Sequence, residues 1–165
     1  MSNFARWIYL LMVAISFAHL FIYYPDLPDT VAIHFGISGE PDNWADKTGY
    51  LAFEIGLLTF LTLIFVGIAE SIKKFPPGLF NIPNKEYWLA GERQHETAKT
   101  IKNLLYWVGN ITLFLLLYMN HQLVQVNIQQ STDSIDGFWI ALIAYLSAIG
   151  LLLYQYLKKF YRTPG

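Results

Sequence analysis

Four histidines and twelve carboxylates are the residues best able to do chemistry in this sequence, and they are unevenly placed. Between Pro25 and Gly49 stand His34, Glu40, Asp42, Asp46 and Lys47, with His19 and Glu54 just beyond either end. Imidazole with carboxylate is a donor set for zinc or another divalent ion. His34, Asp42, Glu54 and His121 are therefore the candidate metal ligands, and an outer-facing metal-binding protein or metal-dependent enzyme is one function the set allows. It has no HExxH or comparable ligand spacing. At 1.5 Å rise per residue, a helical His19 lies roughly 9 Å below Pro25 and Glu54 about 6 Å below Tyr50, so their depths converge while their directions stay open. The competing reading pairs Glu54 with Lys47 or with N–H groups at a helix start, and makes His19 a hydrogen-bonded residue between helices. There is no Gly-rich phosphate loop and no serine nucleophile elbow, so no catalytic residue is expected. The absence of cysteine excludes disulfides, iron-sulfur clusters and thiolate zinc sites, and no cofactor other than a divalent metal is indicated.

The elements that must position these groups are set by composition. Of 165 residues 55% are hydrophobic and 14% charged, against about a quarter charged in soluble domains. A net charge of −1 gives no sign of a nucleic-acid partner. Four runs free of central charge approach or reach the roughly 20 residues that cross a bilayer: Trp7 to Tyr24, Tyr50 to Ile72, Asn103 to about Gln122, and Gly137 to Leu157. The expected fold is an all-α membrane protein, a four-helix transmembrane bundle forming a single membrane domain. Glu54 and Glu70 fall near the two ends of the second run, where a carboxylate can reach the headgroups. Arg6 before the first run and Ser16-Phe17-Ala18 within it loosely imitate a cleaved signal peptide, but the run continues into Tyr23-Tyr24-Pro25, an interfacial anchor and turn. Ala141, Ala144 and Ala148, like Ala14 and Ala18, suit close helix packing.

Basic residues accumulate in cytoplasmic loops. Arg6, Lys73, Lys74, Lys85, Arg93, Lys99, Lys102, Lys158, Lys159 and Arg162 fall on one side of the four runs and only Lys47 on the other, which holds Asp26, Asp29, Glu40, Asp42, Asp46, Asp133 and Asp136. The expectation is a multi-pass protein of the inner (plasma) membrane with both termini cytoplasmic, an outer loop at 25–49 and a cytoplasmic loop at 73–102.

The outer loop is dense in Pro and Gly. Thr30 to Phe35 reads as an extended segment and Gly36 to Gly39 as a reversal, giving a small hairpin or cap over the bundle. His34, Asp42, Trp44 and Lys47 are its candidate binding residues. In the cytoplasmic loop, Pro76-Pro77-Gly78 ends the second helix, and from Lys85 an interfacial helix is expected to run into the third span, with Tyr87 and Trp88 in the headgroup boundary. Asn84, Trp88, Glu92 and Arg93 are candidates for docking a cytoplasmic partner, against the plainer role of an amphipathic anchor.

Two stretches resemble a known family. Tyr24-Pro25-x-Leu27-Pro28, then His34-Phe35-x-x-x-Gly39-x-Pro41-Asp42 and Lys47, together with Asn81-Ile82-Pro83-Asn84-Lys85-Glu86-Tyr87-Trp88-Leu89 and Glu92-Arg93, are similar to the bacterial membrane domain of unknown function found at the N-terminus of SdpI, a toxin-immunity and signalling protein. Position 32 is Ala where that family usually has Pro, and Gly91 stands where Pro is common. The resemblance implies a binding, sensory or immunity-type membrane protein whose outer loop recognises a peptide, toxin or partner. A small accessory subunit of a larger membrane complex is the third function compatible with the chain.

Overall fold

The computed structural model describes residues 2–36, 39–129 and 137–163. Its elements run α1 (Ser2–Tyr23), β1 (Thr30–Phe35), β2 (Pro41–Asp46), α2 (Lys47–Ser71), α3 (Lys85–Trp88), α4 (Arg93–Gln129) and α5 (Phe138–Tyr161). Four of the helices are long and apolar enough to cross a membrane, which makes the chain a multi-pass membrane protein. The small two-stranded sheet sits between α1 and α2. Asp133 and Asp136, counted above on the outer side, lie outside the described residues.

Helix ends follow local chemistry. Pro25 and Pro28 stop α1 after a short 3-10 turn, since proline cannot continue the hydrogen-bond ladder. Asp46 caps α2, its carboxylate accepting from the Gly49 N–H at 2.7 Å. Below α2, Pro76 and Pro77 prevent extension, and the chain crosses in short turns to α3. The interfacial helix expected from Lys85 is a single turn: Gly91 takes φ +52°, a left-handed conformation that breaks the run, and α4 begins at Arg93. From there α4 continues unbroken to Gln129, past both limits of its charge-free core.

α4 is the central element, packing on α1, α2, α5 and the hairpin, while α5 leans mainly on α4. α1 and α4 approach closely at Gly109, where a Cβ would lie 2.6 Å from the Tyr9 ring. Tyr9 is fully buried, lies against Phe65 and Tyr106, and donates to the Leu61 carbonyl at 3.2 Å. One core cluster of Ala5, Tyr9, Leu58, Ala69, Tyr106 and Leu113 joins α1, α2 and α4. A second, of Leu20, Leu27, Val31, Tyr50 and Val124, fastens the hairpin to the bundle.

The end of the bundle away from the hairpin is fixed by polar seams. Glu70 accepts from Tyr106 at 2.7 Å and Lys102 at 2.5 Å, and Arg6 lies 3.5 Å away. The last carbonyls of α5 are satisfied by other parts of the chain: Asn84 donates to those of Phe160 and Tyr161, both at 3.1 Å, and the Trp88 indole donates to Phe160 at 2.8 Å. Asn84 itself adopts φ 50°, which asparagine tolerates better than most side chains.

Candidate functional site

The hairpin is antiparallel, with Thr30 opposite Asp46, Val31 opposite Ala45 and Ala32 opposite Trp44, and a register irregularity around His34. Its reversal is closed by Gly36 donating to the Glu40 carbonyl at 2.8 Å and Gly39 to that of Gly36 at 2.9 Å. Thr30 to Phe35 is thus the extended segment read from sequence, and Pro41–Asp46 supplies its partner strand.

Two side chains seat this hairpin on the helices. Asn127 of α4 accepts from the Ala32 N–H at 2.7 Å and donates to the Ala32 carbonyl at 3.0 Å, substituting for a third strand at that position. A proline at 32 would lack the donated hydrogen. Lys47 donates to the carbonyls of Pro25 at 3.0 Å and Leu27 at 2.7 Å, and its ammonium lies 4.9 Å from the Tyr24 ring centre. It therefore holds the loop base together and is not paired with Glu54.

On the exposed side, His34 Nδ1 and Asp42 Oδ1 meet at 2.5 Å, and Trp44 is 53% exposed. Below the hairpin opens a cavity of about 1030 Å³, walled by α1, α2, α4 and the start of α5. His34 and Asp42 line its rim, and Glu54 and Asn120 its polar interior, among apolar residues that include Leu57, Leu116, Leu123 and Phe138. Asn120 donates to the Tyr50 hydroxyl at 3.0 Å and also faces the Glu54 carboxyl. Among the described residues no ion pair includes Glu54. A large, mostly apolar cavity with a few converging polar groups is the usual form of a ligand site.

His19 and His121 do meet: Nε2 of one and Nδ1 of the other are 3.1 Å apart, with the Tyr23 ring against both. That bond requires one ring to donate and the other to accept. The His pair and the His34–Asp42 pair are separate, and among the described residues no group of three His, Asp or Glu side chains is gathered to hold a metal ion. Of the four candidate ligands, His34, Asp42 and Glu54 share the cavity, whereas His121 is engaged with His19.

At the opposite end, Asn84 and Trp88 are turned onto α5 as described, and Thr97 donates to the Trp88 carbonyl at 2.8 Å. Arg93 stacks on the Tyr87 ring at 4.2 Å and donates to the Tyr87 carbonyl at 2.8 Å, away from Glu96, while Lys99 pairs with Glu96 at 3.7 Å. Glu92 is exposed. Asn127 was missed in the sequence because the polar stretch after the third run read as loop, and Asn120 because it stood among the last residues of that run with nothing to mark it as a partner of Tyr50 or Glu54. Their spacing of seven, two helical turns, was the available signal, since it places both on one helix face.

Residues 11–59 match the model of a family described as Domain of unknown function (DUF1648). That segment is similar to a domain-of-unknown-function family. It takes in the second half of α1, the whole hairpin and the first half of α2, including Lys47 and Glu54. No curated protein and no solved structure matches the chain.

Proposed function

We propose that this chain is a non-enzymatic recognition protein of the plasma membrane, in which the hairpin and the cavity beneath it receive a peptide or a segment of a partner protein from the outer side. The observation that carries the reading is the anchoring of the hairpin. Asn127, Lys47 and the Asp46 cap hold it as a fixed wall of a cavity whose rim bears a solvent-exposed His34–Asp42 pair. Fixed walls favour binding, because little ordering is left to be done when a ligand arrives. The similarity over residues 11–59 falls on the elements that build this wall, which supports a shared role there. The resemblance of the two sequence stretches to SdpI supports reading that role as sensory or immunity-type, with the peptide or toxin as ligand.

The distribution of Lys and Arg supports both termini being cytoplasmic, with the hairpin outside. In this reading His34, Asp42 and Trp44 contact the ligand and Lys47 supports them. Glu92 is then the exposed docking candidate for a cytoplasmic partner whose side chain is not engaged within the chain among the described residues, since Asn84, Trp88 and Arg93 bind there.

The test is purification of the tagged protein from native membranes in mild detergent, wild type beside His34→Ala, with metal analysis of both. A stoichiometric partner present in wild type and lost in the variant is expected. A partner retained in both would favour an accessory subunit held by helix packing, and stoichiometric metal lost in the variant would favour a metal site.

A further inference from the structure

We infer that the cavity beneath the hairpin takes an apolar peptide segment carrying one lysine or arginine, with Glu54 as the counter-ion. The inference rests on the recognition role above and names the chemistry of its ligand.

α2 carries two carboxylates inside its membrane-crossing length, Glu54 and Glu70, about 24 Å apart along the helix. Glu70 is matched by Lys102, Arg6 and the Tyr106 hydroxyl, contributed by α1 and α4. Glu54 has no such match among the described residues. Lys47 is the cation closest to it in sequence, and its ammonium is committed to the Pro25 and Leu27 carbonyls. The remaining basic side chains are at the far end of the bundle or beyond the last turn of α5.

A carboxylate within a membrane-spanning helix is costly unless something pairs with it, and it usually faces the protein interior or a cavity. Glu54 faces the cavity, where the Asn120 amide is its polar neighbour. Asp42 on the rim is already paired with His34, which leaves Glu54 as the lining carboxylate without a basic partner among the described residues. Such a lining repels anions and favours a cation. The walls around it are aliphatic and aromatic, so the bearer of that cation must be apolar. At about 1030 Å³ the space lies at the upper limit of small-molecule pockets and accommodates several side chains of a peptide. Glu54 lies about 10 Å along α2 from Lys47, so the ligand's charge sits roughly two turns from one end of an inserted segment, not at its middle.

The experiment uses the full chain in phosphatidylcholine nanodiscs. The probe is a fluorescent leucine-alanine peptide of about 20 residues with a single lysine about seven residues from one end, set against the same peptide with norleucine there. Wild type is expected to bind the lysine peptide about tenfold more tightly. Glu54→Gln should lower the lysine peptide to the norleucine level, Glu54→Asp should keep most of the preference, and Leu57→Trp, which narrows the cavity, should weaken both peptides. Equal binding of the two peptides by wild type, binding of neither, or a preference that survives Glu54→Gln would overturn the inference. Should it fail while a partner still purifies in a His34-dependent way, recognition at the hairpin stands and only the ligand chemistry is wrong.

Discussion

Asn127 meets both the N–H and the carbonyl of Ala32, a residue only 5% exposed. Removing that side chain leaves two backbone groups unpaired in a place water does not reach, and a buried group so orphaned costs about 1–3 kcal/mol. Asn127→Ala should therefore lower the thermal unfolding midpoint in detergent. It should also speed hydrogen exchange at the β1 amides while the amides of α2 stay protected. Uniform exchange across both elements would mean the bond does not seat the hairpin. At this scale the sequence was partly legible. His34 and Asp42 were marked as neighbours in one loop and do form a pair. Lys47 was marked with them as a binding residue, yet its ammonium faces inward to carbonyls, because α2 starts beside the chain leaving α1. Residue type and loop position gave no direction for that side chain.

Helix packing supplies the next level of order, and its tightest point is Gly109. A Cβ there would fall 2.6 Å from the Tyr9 ring and 3.1 Å from that of Phe65, both held by neighbours. Gly109→Val should force α1 away from α4 at a cost of about 1–3 kcal/mol, seen as a lower midpoint and weaker cross-linking between the two helices. An unchanged midpoint would show that the contact yields freely. The four spans were legible because charge-free runs of this length have few alternatives in water. β1 was legible from its Val, Ile and Phe between turn residues. The extent of α4 was not, since Gln and Asn after Gln122 look like loop residues until the hairpin is present to bond Asn127. The break at Gly91 was likewise hidden by helix-compatible neighbours on both sides.

Taken whole, the molecule has a hairpin end whose cavity holds a carboxylate with no ion-pair partner among the described residues, and an opposite end closed by Glu70, Asn84 and Trp88. The proposed sidedness is open to direct measurement because the chain has no cysteine of its own. A single cysteine at position 44 should react with an impermeant maleimide in intact cells, and one at position 92 only after permeabilisation. The reverse pattern would invert the orientation and move the recognition site to the cytoplasm.

The central claim, that ligand enters between hairpin and helices, is tested most directly by photo-crosslinking from three positions in native membranes. Phe53 lines the cavity, Trp44 stands on the hairpin, and Leu151 is 63% exposed on α5 away from both. A photoreactive phenylalanine at 53 and at 44 should capture the same product, one absent at 151 and diminished when Leu57→Trp narrows the cavity. The same adducts from all three positions, or a product indifferent to Leu57→Trp, would contradict the account.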